Sequence, residues 1–305
     1  MPIIRPVDIR EKEQFNNAVK HPLQTWEWGE FREKTQIEIE RFGVFDESKL
    51  IDGLQISFHP IPKLPFTLGY FPKGSMPNKD QLEMLKDIGK KMRAIAIKIE
   101  PNVAAPVDSP HALQNIREFL LNAGAVPGRP LFTKYTFILN LEESEEKLFA
   151  NLKPKTRCNV GVAQKKGVTI VEETTEASLE EYLDLQRLTT KRQQFYSHSD
   201  EYFRLMYKTL EPVGMIRIFK AVYNQQTLAI WILFQHNGVL YYPYGASSRE
   251  HRDTMANNLL MWEVILAGKR SGCRSFDMWG SLGPNPDPKR SEERRVGKEC
   301  RSRWS

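Results

Sequence analysis

Between residues 215 and 247 the chain reads "MIRIFKAVY", "LAIWILFQH" and "VLYYPYGAS", three β-branched and aromatic runs with turns at "NQQ" and "NG". Runs of this length, bounded by such turn residues, predict an antiparallel meander, because Asn and Gly tolerate the left-handed backbone of a tight hairpin. A helix is expected next, from about Glu250 to Arg270, with Met255, Leu259, Trp262 and Leu266 as its buried stripe. Basic residues and then Gly272 mark its end, and "RSFDMWG" returns as a strand. Upstream, from about Leu141, "SEEKLFANL", "KTRCNVGVAQKKG", "ASLEEYLDLQRLTTKRQQF" and "DEYFRLMYKTL" read as helices.

The first half has a similar order. "DIREKEQFNNAVKH" and "TWEWGEFREKTQ" predict helices, and "IEIERFGVF" and "LIDGLQISFHPI" predict paired strands around "DESK". "FTLGYFPKG", a helix around "KDQLEMLKDIGKKM" and the strand "AIAIKIEP" follow. The expected fold is therefore α+β, a mixed-sheet plan built twice. At 305 residues, two domains of ordinary size fit, assigned to 1–140 and 141–289.

Composition excludes several classes. No apolar run approaches the roughly 18 residues of a membrane span, and "MPIIRPVDIREKEQ" turns charged too early for a secretory signal. Three cysteines give neither a disulfide framework nor a paired zinc motif. The expected location is cytoplasmic. The formal charge is +6, but residues 290–305 carry six basic and three acidic side chains and so supply half of it. Any case for nucleic-acid binding must come from local clusters.

The sequence holds no G-x-S-x-G elbow, Walker loop, H-E-x-x-H or G-x-G-x-x-G, and its six histidines are scattered. No metal site is expected. Residues 147–166 hold six basic residues and no acid. Lys153, Lys155, Arg157, Lys165 and Lys166 suit one side of a helical hairpin that grips a phosphate backbone, and equally suit a solvated helical face. In "KRQQFY", Arg192 and Tyr196 fall four apart, an arginine fork beside a phenol that suits phosphate or carboxylate. In "YYPYG", strand alternation puts Tyr242 and Tyr244 on one face and Tyr241 on the other. Trp26 and Trp28 with Arg32 suit either a recognition lip or plain aromatic packing.

In order and spacing, "QTWEWGEFR", "KIEP", "LKPKTRCNVGVAQKKGVTI", "KRQQFYSHSDEYF", "YYPYGASS" and "LLMWEVILAGKRSGCRSFDMWG" resemble the FemABX family. These are aminoacyltransferases that build peptidoglycan cross-bridges. The resemblance implies two tandem GNAT-like domains, the first binding the precursor. It implies transfer of an amino acid from aminoacyl-tRNA to a stem-peptide amino group of a lipid- or nucleotide-linked precursor. Trp28 and Arg32, Arg192 and Tyr196, and Tyr242 or Tyr244 are then expected to contact that precursor, and the basic segment to lie near the tRNA. The space between "VTIVEE" and "EYLDL" leaves no room for the long coiled-coil arm of staphylococcal-type members. A monomer is expected, with peripheral contact at the inner membrane face.

Such a reaction needs an oriented amine, a stabilised oxyanion and a proton returned to the ribose hydroxyl. The ester is already activated, so no cofactor, metal or protein nucleophile is expected, and aminoacyl-tRNA serves as co-substrate. A CoA pyrophosphate would call for a glycine-rich turn at a helix start, whereas the matching stretch, "SSREHRDTMANN", has none. Two alternatives remain: a GNAT-type acyltransferase acting on another amine, and a non-catalytic module that binds RNA or the precursor.

The segment "RSEERRVGKECRSRWS" has no periodicity and back-translates to a string that resembles a common short-read sequencing adapter. Residues 290–305 are therefore expected to be foreign, replacing a family segment with a Phe-Lys pair and impairing the chain as written. No catalytic residue is assigned.

Overall fold

A computed structural model of the chain describes residues 2–107, 109, 111–193, 197–280 and 300–303. The chain divides into two compact units, residues 1–134 with 301–305, and residues 135–300.

The first unit begins with β1 (Ile3–Pro6), α1 (Lys12–Ala18) and α2 (Trp26–Lys34). There follow β2 (Glu38–Asp46), β3 (Lys49–Pro60), β4 (Thr67–Pro72), α3 (Lys79–Lys91) and β5 (Ala94–Glu100). Its five strands lie in sequence order, antiparallel except for the last pair. There α3 carries the chain back across the sheet, so β5 runs parallel to β4. Asn78 starts α3 with a capping box, its side chain accepting from the Gln81 amide at 2.9 Å while Gln81 accepts from the Asn78 amide at 2.7 Å. β6 (Ala104–Pro106) and α4 (Gln114–Asn122) complete the unit. Phe42, Ile56, Phe58 and Phe71 pack with Leu82, Leu85 and Ile88 of α3 and Leu120 of α4. Phe15, Val19 and Trp26 form a second cluster with Phe45 and Leu50. Each fully buried side chain of this size contributes about 1.5–3 kcal/mol.

The second unit runs β7 (Tyr135–Asn140), α5 (Glu145–Asn151), α6 (Pro154–Lys165), β8 (Thr169–Glu172), α7 (Glu176–Gln193) and α8 (Asp200–Leu210). It continues with β9 (Ile216–Tyr223), β10 (Gln226–His236), β11 (Val239–Ser247), α9 (Ala256–Arg270) and β12 (Ser275–Asp277). Its strands order as β7-β12-β11-β10-β9-β8, with only β11 and β12 parallel. The meander forms as expected. Asn224 and Gln225 close one hairpin at φ 48° and 62°, Asn237 and Gly238 the other at 45° and 75°, the doubly left-handed geometry that two-residue hairpins favour.

Two details depart from expectation. The second unit starts at Tyr135, six residues before the expected boundary at 140/141, because Ile138, Leu139 and Asn140 pair with β12. And α9 is buried around most of its girth rather than along one stripe: Leu260, Met261, Val264 and Ile265 are as enclosed as Leu259, and Met255 is only partly so. It packs against α6 and against β9, β10 and β12. Only Glu173–Thr175 separate β8 from α7, so no arm is inserted there, and α7, with 18 residues, is the longest described helix. A last strand, β13 (Cys300–Arg303), pairs antiparallel with β6. Residues 281–299, which carry most of the 290–305 expectation, lie outside the described residues.

Candidate functional site

In the first unit the sequence places Trp28 and Arg32 one turn apart on α2. Thr25 starts that helix by accepting from the Trp28 amide at 3.3 Å. Gln24, just ahead of it, is buried and sews the helix entry to the sheet. Its amide donates to the carbonyls of Gln55 at 3.0 Å and Pro72 at 2.6 Å, and its oxygen accepts from the Gln55 amide at 2.8 Å. Gly29 makes the close approach possible: a Cβ there would lie 2.2 Å from both Arg41 Nη2 and Gln55 Oε1. Trp28 is only 9% exposed and meets Phe31 edge-on at 5.2 Å, so its ring lies in the packed interior. Arg32 is half-buried, with its guanidinium 5.8 Å from the Phe31 ring centroid. His59, hydrogen-bonded to Ser57 at 3.0 Å, is held below the usual imidazole range by burial and then by the Arg32 charge. Arg32 thus stands as a cation beside a neutral imidazole.

The same unit buries a carboxylate that sequence reasoning quoted, in "KIEP", without giving it a role. Glu100, 1% exposed at the end of β5, accepts from the Tyr70 hydroxyl and, at 2.7 Å, from the Leu131 amide. Lys98 Nζ lies 3.9 Å from it. Burial and then the Glu100 hydrogen bond push the Tyr70 phenol well above its ordinary value. Lys73, fully buried and left-handed at φ 54°, donates its amide to the Glu100 carbonyl at 2.7 Å and sets its ammonium 4.1 Å from the Phe132 centroid. The available signal was an acid closing a mostly apolar strand.

In the second unit the tyrosines are not arranged as strand alternation predicts. Between β10 and β11 the register passes from Ile232↔Tyr244 to Phe234↔Tyr241, so Tyr242 and Pro243 face one residue, Leu233. This bulge flips the phase. Tyr244 joins Tyr241 on one face, meeting Phe203 at 5.0 Å and Phe234 at 6.0 Å, while Tyr241 meets Trp279 at 6.1 Å. Tyr242 turns to the opposite face and stacks on Trp231 at 3.9 Å. Gly245 leaves room for it, since a Cβ there would lie 2.1 Å from the Tyr242 hydroxyl. The expectation of Tyr242 and Tyr244 on one face is corrected accordingly. Arg192 belongs to the last turn of α7, its side chain outside the described residues, as is Tyr196 entirely.

The basic segment divides by role. Arg157 donates to the carbonyls of Ala150, at 2.7 Å, and Leu152, closing the end of α5. Lys166 is paired with Asp253, ahead of α9. Lys153, Lys155 and Lys165 are exposed and make no ion pair among the described residues; on α6, Lys165 lies opposite the buried Thr156, Val160 and Ala163 and Lys155 lies to one side of them. At the start of α9, His251 and Met255 adopt left-handed backbone at φ 48° and 57°. The turn therefore forms without glycine, and its composition alone does not decide against a CoA pyrophosphate. No cluster of three metal-ligating side chains occurs among the described residues, and no described helix is long and apolar enough to cross a membrane.

A family model described as "FemAB family" matches residues 9–112, and one described as "Acetyltransferase (GNAT) domain" matches residues 156–287. Curated relatives extend the likeness over about nine-tenths of the chain. A "Lipid II:glycine glycyltransferase" of Staphylococcus haemolyticus (strain JCSC1435) is 24% identical over 362 residues, covering 92% of this chain and 85% of that protein. The protein of the same name from Staphylococcus aureus (strain MRSA252) is 24% identical over 348 residues, covering 89% and 82%. The crystal structure of FemX superposes with a TM-score of 0.82 at 21% identity, over 99% of this chain and 95% of that one. The likeness to the FemABX family is therefore found in both halves of the chain. Its fold is two tandem GNAT-like units, and a tandem GNAT protein from the clavulanic acid biosynthesis pathway shares that fold with a TM-score of 0.54 at 12% identity, over 99% of this chain and 97% of that one. In this chain the sheet with the Tyr242 bulge, except for β7, lies in the matched GNAT segment, and Arg32, His59 and Glu100 lie in the matched FemAB segment.

Proposed function

We propose that this chain transfers an amino acid from aminoacyl-tRNA to an amino group on the stem peptide of a peptidoglycan precursor. The observation that carries this reading is the likeness, over 92% of the chain, to a protein named for glycyl transfer to lipid II. The chemistry required is modest. A neutral amine attacks an activated ester, so positioning and stabilisation of a transient oxyanion do most of the work. In this reading Arg32, beside the neutral His59, contributes positive charge toward a precursor phosphate or carboxylate. Lys153, Lys155 and Lys165 supply exposed charge for the tRNA backbone.

The test incubates the full chain with labelled aminoacyl-tRNAs and a nucleotide-linked precursor, with acyl-CoA in a parallel series. Label should appear on the precursor and vanish when the tRNA is first digested with ribonuclease. A second reading, an acyl-CoA-dependent N-acyltransferase, is supported by the match of residues 156–287 to an acetyltransferase (GNAT) domain; transfer with acyl-CoA alone would establish it in place of the first. Binding of precursor or RNA without transfer in either series would leave a non-catalytic module.

A further inference from the structure

One corner of the first unit exposes more apolar surface than folding accounts for. The β3–β4 connection, Ile61–Phe66, is a compact loop closed by the Ile61 amide on the Phe66 carbonyl at 2.9 Å and the Leu64 amide on the Ile61 carbonyl at 3.1 Å. Pro60, Pro62 and Pro65 stiffen it. Its outer side chains point to solvent: Leu64 is 56% exposed and Phe66 44%. The patch continues along the sheet edge. Between Thr67↔Ala94 and Gly69↔Ile97 the register shifts by one residue, so Leu68 faces a bulge formed by Ile95 and Ala96. Leu68 is 40% exposed there and Ile95 65%. A bulge that turns an isoleucine outward on an edge strand has no packing rationale within the unit.

The two segments that carry these four side chains bear charge of one sign. No acid occurs from residue 53 to 79 or from 88 to 99. Lys63 at the loop tip and Arg93 at the start of β5 are exposed, and neither forms an ion pair among the described residues. On adjoining elements, Asp87 and Glu40 are paired with Lys90 and Lys91, and Glu38 lies two strands from Leu68. An apolar tip on basic segments that carry no acid matches one surface above others: the apolar side chains enter the acyl boundary while the cations meet lipid phosphates. A protein partner with an apolar groove would not require that exclusion of acids.

We propose that Leu64, Phe66, Leu68 and Ile95, flanked by Lys63 and Arg93, form a docking surface for an anionic lipid bilayer. The proposal does not depend on the transferase reading, although a lipid-borne acceptor would give the docking a use. The full chain is sedimented with vesicles of phosphatidylglycerol and phosphatidylcholine, and with phosphatidylcholine alone. Binding should favour the anionic vesicles and weaken with added salt. The paired change Leu64→Ser with Phe66→Ser should lower it at least about tenfold, as should Lys63→Glu with Arg93→Glu, with thermal unfolding unchanged. In a separate variant, Phe66→Trp should give an emission that shifts to the blue on binding and is quenched by brominated acyl chains. A wild-type chain that stays in the supernatant, or apolar variants that sediment as well as wild type, would overturn the proposal. Lost docking with intact transfer to a nucleotide-linked precursor sinks this proposal alone; intact docking without transfer from any donor sinks the transferase reading alone.

Discussion

Tyr70 and Glu100 give the sharpest test of the buried polar site. The Tyr70 hydroxyl donates to a carboxylate that is 1% exposed and that also accepts from the Leu131 amide at 2.7 Å. A hydrogen bond to a charged acceptor contributes about 1.5–3 kcal/mol, and a buried acceptor left short of a donor carries a desolvation penalty besides. Tyr70→Phe removes one donor and little volume, so its cost should fall near 2 kcal/mol, roughly 6–10 °C in midpoint for a unit of this size. Glu100→Gln keeps the shape but turns an amide NH2 toward at least one existing donor, and should cost at least as much. The assay is a double-mutant cycle by urea unfolding, joined to hydrogen exchange at the Leu131 amide. Because the residues share one bond, the double variant should fall short of the summed singles by about 1–2 kcal/mol. Leu131 should exchange faster in the Glu100 variant and remain protected in the Tyr70 one. Additivity within about 0.5 kcal/mol would show that the two residues act independently, and the reasoning would fail.

Three further outcomes are expected. Gly29→Ala forces a methyl against Arg41 and Gln55 and should destabilise the first unit by about 1–3 kcal/mol in denaturant titration. Glu173 is held below the usual carboxylate range by hydrogen bonds from Lys220 and Ser178. Its contribution is therefore present above the ordinary value of 4.5 and lost as the pH falls through its native one, so the urea midpoint should drop on the acid side and Lys220→Met should flatten that drop. Lys155→Glu with Lys165→Glu should weaken tRNA binding and reduce the slope of log affinity against log salt by about 1–2, measured by filter binding.

How much was legible depends on which force dominated locally. The meander was readable because Asn224, Asn237 and Gly238 sit where the backbone must turn left-handed. The helix at Asp200–Leu210 was readable because Phe203, Met206 and Leu210 repeat at helical spacing beneath a Ser199 cap. The phase of β11 was not read, because alternation was counted straight through Pro243; a proline inside a strand cannot donate to the ladder, and that was the available sign of a bulge. β7 was missed as the opening of the second unit because "YTFILN" looks the same whichever sheet receives it, and its partner lies far along the chain. Of the candidate site, residue types were readable and environments were not. Nothing local separates Trp28, packed against Phe31, from a tryptophan at a surface, or Arg157, closing α5, from the exposed Lys155. For Glu100 the sequence offered no more than an acid at a strand end; its burial is confined to that end, since the other residues of β5 are exposed or half-buried.

The placement of β7 has a kinetic consequence. Asn140 pairs with Ser275 and Ile138 with Asp277, so the strand that opens the second unit waits, as the chain leaves the ribosome, until nearly all of α5 through α9 has emerged. Until then β11 lacks the parallel neighbour it gains at Val239–Tyr241, and two strand edges stand open at once. Contacts of such long sequence separation form late and slowly. Synthesis that pauses ahead of Ser275 would therefore hold the unit in the form most prone to pair with another nascent copy.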